Sequence, residues 1–388
     1  MPTIDPQLYE YCTPRQREVL DVIKRLGDLK AAALELGMHR DSPALMLRRL
    51  RQKASNRGYA PAHDMTHTVP EGFKVKGVST LYNKHGDVSV QWVKSSEDAE
   101  RREEMLRATV DALSREIKPV APTAAPDTSL ARLLTLYTFT DYHLGMLAWH
   151  KEGGDDWDLN IASDLGIRAM QALVAGAPKS ERAVINIQGD FMHFDGHAPV
   201  TPTHGHILDA DSRFGKLVDA AIDMIRHLVS IALQHHQQIE LLICEGNHDL
   251  ASSLWLRKMF KQLYRDEPRV RVTDSELPYY VIQHGKTMLA FHHGHLKKNE
   301  QLPMLFAAMY PKVWGDTEKR YCHTGHRHHV EESERPGMKI IQHPTLSARD
   351  AYAARGGWIS EREATAITYD TKYGKVGTNT ITPEMCYE

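Results

Sequence analysis

The strongest constraint on this chain is a series of short apolar runs, five of which stop on a cluster of Asp, Asn, His and Gly. In chain order the clusters are Asp141-Tyr142-His143, Gly189-Asp190-Phe191-Met192-His193, Gly246-Asn247-His248-Asp249, His292-His293-Gly294-His295 and Gly325-His326-Arg327-His328. The runs, at 133–140, 183–188, 239–244, 287–291, 320–323 and 339–342, have strand length and composition, and helical periodicity over 161–174, 214–233 and 254–264 separates several of them. Such alternation predicts an α/β layered domain. Clusters that directly follow strands fall where α/β folds carry their ligand-binding loops. Histidine usage points the same way, since of 23 histidines only His39, His63, His67 and His85 precede residue 131.

The donor types define the chemistry. On an extended strand end, residues two apart point the same way, so Asp141 with His143, and His326 with His328, are expected to chelate from one side. Carboxylate, imidazole and amide oxygen donors suit borderline divalent ions such as manganese, iron or zinc, and the lack of nearby cysteine argues against a purely structural zinc site. Seven ligands exceed the needs of one tetrahedral ion, which predicts two metals.

The ordered set DxH, GD, GNHD, HG and GHxH resembles the calcineurin-like metallophosphoesterase superfamily over roughly residues 131 to 345. The resemblance implies a layered metallophosphoesterase fold, with central β-sheets flanked by helices. It implies one metal on Asp141, His143 and His328, a second on Asn247, His293 and His326, and Asp190 bridging them, with His293, directly before Gly294, favoured over His292. A hydroxide between the ions would attack phosphorus, His248 would be the general acid, and Asp249 would fix its tautomer and orientation. Manganese is the expected metal, with Fe2+, Zn2+ or Mg2+ as alternatives. His193 stands where the Ser/Thr phosphatase pattern GDxxDRG has its second Asp. A histidine there resembles the GDxxH of SbcD-type DNA repair nucleases, in which it positions the phosphodiester. The other nearby histidines, His197, His204, His206, His295, His323 and His329, carry no motif and are read as loop or supporting groups.

The amino-terminal part bears on the substrate. Thr13 is expected to cap a helix ended by Gly27, Asp28 a second closed by Gly37, and Ser42 a third running to about Arg57. The stretch TPRQREVLDVIKRLGDLKAAALELGM resembles the first two helices of helix-turn-helix domains, although Pro43 stands where an apolar residue of the next helix is expected. Arg40, Arg48, Arg49, Arg51, Lys53 and Arg57 face a single acid, Asp41, and form the candidate DNA contact. A β-hairpin is expected from Phe73 to Trp92 around a turn at 83–87, then a helix over 95–118 and a Pro/Ala linker over 119–127. The resulting domain map is 1–94, a small, mainly helical DNA-binding domain with a hairpin; 95–130, helix and linker; and 131–388, the metal-binding domain.

The net charge of −2 gives no global basic field, so DNA binding has to come from this local patch. Four scattered cysteines without a CxxC pair, no signal-like amino terminus and no run of about 18 apolar residues predict a cytoplasmic protein without membrane contact. The function expected is a two-metal phosphodiesterase acting on DNA, which also allows a homodimer and leaves a partner ATPase open. The alternatives are a phosphatase or phosphodiesterase for nucleotides or other small esters with a regulatory first domain, and a DNA-binding regulator with a dead enzyme domain. Seven intact ligands speak against the last.

Overall fold

Cap and turn residues set the small first unit. In this computed structural model, which describes residues 4–60, 73–82, 88–97, 119–127, 130–202 and 205–388, the chain divides into two units, Met1–Met105 and Leu106–Glu388. Helix α1 (Pro14–Leu26) opens on a reciprocal capping box between Thr13 and Gln16 and stops at Gly27, whose φ of 66° suits a residue without a Cβ. The Asp28 side chain accepts from the Lys30 amide at the start of α2 (Leu29–Glu35). Helix α3 (Ser42–Asn56) differs from expectation at its start: Asp41, not Ser42, holds the cap position, without a side-chain bond. Pro43 lies in the first turn, where a missing N–H costs nothing, so it begins this helix and does not interrupt it. Leu20, Ile23, Ala32, Leu47, Leu50 and Ala54 close the core between the three helices.

Strands β1 (Phe73–Tyr82) and β2 (Val88–Glu97) form the expected antiparallel hairpin, whose turn at 83–87 lies outside the described residues. Because β2 continues to Glu97, the helix expected from residue 95 does not begin there, and the rest of that expectation, 98–118, lies outside the described residues.

The second unit is an α/β sandwich of two central sheets flanked by helices. Its strands are β3 (Leu130–Phe139), β4 (Ser180–Ile187), β5 (Gln238–Ile243), β6 (Val270–Val272), β7 (Tyr280–His284), β8 (Thr287–Phe291), β9 (Lys319–Thr324), β10 (Glu331–Arg335), β11 (Met338–Gln342), β12 (Ala364–Asp370) and β13 (Gly374–Ile381). One sheet has the order β13-β12-β3-β4-β5-β6, with β3 to β6 parallel and β12 and β13 antiparallel at one side. The other has the order β10-β11-β9-β8-β7, with β8, β9 and β11 parallel.

Period-two alternation builds the layers. Leu134, Leu136, Val184 and Leu242 face Leu289, Phe291, Tyr321 and Ile341 of the other sheet, forming the core between sheets. The alternate residues Tyr137, Phe139, Ile185 and Leu241 pack outward against α4 (Leu159–Gly176), α5 (Phe214–Leu233) and α6 (Leu250–Leu263). Met288, Ala290 and Cys322 face Leu302 and Phe306 on the far side. The parallel strands of both sheets therefore end together, and the loops after β3, β4, β5, β8 and β9 converge.

The stretch 119–127 is bound to the second unit along its length, not a free linker. The Val120 amide donates to the Leu263 carbonyl at 3.0 Å, and the Thr123 amide and hydroxyl both donate to the buried Glu267 carboxylate at 2.8 Å. Arg269 donates to the Thr123 hydroxyl and the Ala124 carbonyl.

Candidate metal centre

Each candidate ligand stands just beyond a strand end. Asp141 and His143 follow β3, Asp190 follows β4, Asn247 follows β5, His293 follows β8, and His326 and His328 follow β9. The chain does not leave these strands in an extended form, as the x, x+2 reading assumed. Asp141, His143, Asp190, His326 and His328 have φ of 48°, 47°, 49°, 72° and 55°, and among the described residues they are the only non-glycine residues in the left-handed region. That conformation costs an L-residue roughly 1 to 2 kcal/mol. Strain confined to one cluster of donors marks a site in which side-chain direction outweighs backbone preference.

The loops are pinned to one another. The Asp141 amide donates to the Gly189 carbonyl and the His143 amide to the Asp190 carbonyl, both at 3.0 Å. Asp141 Oδ2 accepts from the His326 amide at 2.8 Å and from the Thr140 hydroxyl, while Thr345 and Ser347 hydroxyls donate to the Asp141 carbonyl. Asp190 Oδ1 accepts from the His248 amide at 2.8 Å. The motif glycines are required by close approach: a Cβ on Gly246 would lie 2.1 Å from Asp190 Oδ1, and one on Gly325 2.0 Å from Thr140 Oγ1.

Donor atoms gather in three overlapping sets: Asp141, His143 and His328; Asp141, Asp190, His293 and His326; and His143, His193 and His248. His328 Nε2 is 3.1 Å from Asp141 Oδ1 and 3.4 Å from His143 Nε2, while His293 Nε2 is 3.2 Å from Asp190 Oδ2 and 3.8 Å from Asp141 Oδ1. The fit to a cation shows in these atoms: Asp141 Oδ1, Asn247 Oδ1 and His293 Nε2 are buried without a well-formed hydrogen bond, and Asp141 Oδ1 and His293 Nε2 meet only other candidate ligands. Asp141 and Asp190 are both buried beside one another. Burial works against charge on both, yet His328 and His293 hold the Asp141 carboxyl below its usual range, and His293 does the same for Asp190. In return, against the opposing effect of burial, Asp190 and Asp141 hold His293 up at about 10, so that its proton carries the positive charge these carboxylates demand.

Of His292 and His293, only His293 joins a donor set. His293 donates from Nδ1 to the Gln188 carbonyl at 2.9 Å and turns Nε2 onto the two aspartates, the usual way a ligand imidazole is fixed. His292 places Nδ1 3.0 Å from the Pro278 carbonyl and packs against Tyr279 with the rings tilted by 33°, outside all three donor sets.

Two expected roles differ. Asp249 does not orient the His248 ring; its carboxylate accepts from the amides of Asp190, Phe191, Met192 and Gly246 and so shapes the loop after β4. The His248 ring is held by the His193 carbonyl, 2.8 Å from Nδ1. His193 itself is only 1% exposed, with Nδ1 3.2 Å from His143 Nδ1 and its ring stacked on that of His248 at 5.6 Å between centroids.

Sequence reasoning missed the supporting groups: Gln188, Thr140, Thr345, Ser347, and Asp195, whose carboxylate receives the first amides of α6 at Ala251 and Ser252. Only the Asp and Thr/Ser character of these positions was visible, and nothing local tied them to the centre. His295, read as a loop residue, has a buried Nδ1 without a partner and lies 5.4 Å, ring to ring, from His293.

In the first unit, Arg40, Arg48, Arg49 and Arg51 are exposed, Lys53 and Arg57 half-buried, and among the described residues none of the six has a carboxylate in ion-pair contact. Among the described residues no helix is long and apolar enough to cross a membrane.

No family model matches this chain, and no curated protein matches it. Among solved structures, a conserved uncharacterized protein (predicted phosphoesterase) from Streptococcus pneumoniae aligns at 14% identity and a TM-score of 0.29, covering 66% of this chain and 92% of that one. Vps29 complexed with zinc from Entamoeba histolytica aligns at 11% identity and a TM-score of 0.27, covering 64% of this chain and 99% of that one. A 5'-nucleotidase precursor from Thermus thermophilus aligns at 13% identity and a TM-score of 0.35, covering 65% of this chain and 55% of that one. The functional reading rests on the site's own geometry.

Proposed function

We propose that this chain is a two-metal phosphoester hydrolase and that its substrate is a phosphodiester of DNA. The observation that carries the first part is the convergence of buried and half-buried carboxylate and imidazole donors from Asp141, Asp190, His143, His293, His326 and His328 at a ring of strained, ligand-bearing turns. Two divalent ions held there, manganese by preference, would supply Lewis acidity and a water nucleophile active at neutral pH.

The chain's own residues supply the rest. Asp141 is shared by the two carboxylate-bearing donor sets, while Asp190 belongs to one of them and, through Oδ1, holds the amide of His248. His248, with Nδ1 fixed on the His193 carbonyl, is half-buried and has Nε2 available to pass a proton to the leaving oxygen. The DNA assignment is supported by the arginine-covered solvent face of α3, whose cations are not neutralised within the described residues.

The test is hydrolysis, with manganese, of bis-p-nitrophenyl phosphate, p-nitrophenyl phosphate, plasmid DNA and single-stranded DNA, alongside metal analysis. Cleavage of the diester and of DNA with two ions per chain is expected. Turnover of the monoester alone would replace DNA by a small phosphate ester such as a nucleotide. Full activity with fewer than two ions would overturn the two-metal assignment.

A further inference from the structure

His143 is held in a way that differs from its neighbour His293. It is buried, its amide is fixed on the Asp190 carbonyl, and its carbonyl accepts from the Trp157 indole at 3.3 Å. Its ring presents Nε2 toward His328 and Asp141 and turns Nδ1 away, toward His193 Nδ1 at 3.2 Å, with the two ring planes at 86°. A neutral imidazole carries one proton. If Nε2 is to offer its lone pair to a cation, the proton must sit on Nδ1, and that N–H needs an acceptor. His293 uses a backbone carbonyl for this purpose; for His143 the atom in place is a second imidazole nitrogen.

We propose that His193 is a positioning residue: its Nδ1 accepts the His143 Nδ1–H and holds that ring in the tautomer that turns the Nε2 lone pair toward a metal. His193 then carries its own proton on Nε2. This inference rests on the two-metal reading and assigns His193 a role that acts through His143. A carbonyl can only accept, whereas an imidazole nitrogen can accept or donate, so the state of His143 depends on the identity of residue 193. Among the described residues no other group bonds the His143 Nδ1.

The experiment uses the full chain with 15N-labelled histidine, long-range 1H–15N spectra of the metal-free and zinc-loaded forms, and calorimetric titration with manganese and zinc. The wild type should show His143 with its proton on Nδ1. His193→Ala should mix the tautomers and weaken one of the two metal sites by about 10- to 100-fold, the usual cost of removing such a partner. His193→Asn, whose Oδ1 offers an acceptor close to the lost nitrogen, should restore both. Hydrolysis of bis-p-nitrophenyl phosphate and p-nitrophenyl phosphate by His193→Ala should fall together and recover together when metal is raised. A wild-type His143 protonated mainly on Nε2 would overturn the inference. So would unchanged metal affinity in His193→Ala with loss of diester hydrolysis alone, which would mean that residue 193 touches substrate. Tautomer and metal binding are read without substrate, so failure here is distinct from failure of the functional reading, which would appear as a wild type that binds fewer than two metals.

Discussion

At the scale of single residues, this site is built by contacts that leave no room. Gly246 sits against Asp190, where a Cβ would lie 2.1 Å from a carboxylate oxygen and 2.2 Å from the backbone nitrogen. The backbone atom cannot swing aside, so Gly246→Ala should cost at least the roughly 1 to 3 kcal/mol of an overpacked core. Thermal unfolding should show it as a Tm lower by roughly 2 to 4 °C per kcal/mol, together with weakened manganese binding. His248 is the complementary case, since it lies outside the seven candidate ligands and its ring is anchored through Nδ1 on a carbonyl. His248→Ala should keep both metals and lower kcat by about 100- to 10,000-fold on a poor leaving group. The loss should shrink for p-nitrophenolate, which departs without a proton. A near wild-type rate on DNA for this variant would remove His248 from the mechanism.

At the scale of elements, the loops after β4 and β5 are joined by Asp195. Its carboxylate bonds the Ala251 and Ser252 amides at 2.6 and 2.7 Å, and so caps α6 from another loop where Asp249 provides no cap. Asp195→Ala should cost about 0.5 to 2 kcal/mol, as cap losses do, and should lower kcat because His248 lies two residues before the start of that helix. Calorimetric unfolding and steady-state kinetics on one preparation would check it, with metal stoichiometry unchanged. This link shows what the sequence could and could not reveal. The six apolar runs became β3, β4, β5, β8, β9 and β11 because each carries its own signal: an alternating or wholly apolar core stretch that stops on a turn. β10, an exposed Glu-rich edge strand, and β12, whose pairing is with distant β3, have no such local signature. The donor clusters were legible for the same reason, as motifs of adjacent residues. Adjacency of Asp249 to His248 suggested a ring contact, whereas three of its four amide partners lie some 57 to 59 residues earlier, in the loop after β4. The x, x+2 pairs were identified, but their convergence comes from left-handed turns that no spacing rule contains.

At the scale of the whole molecule, the candidate metal centre and the basic helix belong to different units of the chain. All candidate ligands lie beyond residue 140, and the strap at 119–127 is bonded to the second unit, so a chain lacking residues 1–118 should fold and hydrolyse bis-p-nitrophenyl phosphate at a nearly unchanged rate. The same deletion should weaken binding to duplex DNA. Charge reversal at Arg48, Arg49 and Arg51 should flatten the dependence of affinity on salt, since fewer counterions are released. Fluorescence anisotropy across a salt series measures both, and unchanged slopes would argue for a small ester as the substrate. The sheet order carries a further consequence. β3, which leads directly to Asp141, lies inside its sheet, and one of its two neighbours is β12, where Thr365 pairs with a threonine more than two hundred positions earlier in the chain. Synthesis from the amino-terminal side therefore delivers every candidate ligand before the strand that closes this sheet emerges. Until then β3 keeps an open edge. A growing chain would thus hold all its candidate ligands before the strand that shields the edge beside them, and in that interval the edge is open to pairing with another strand.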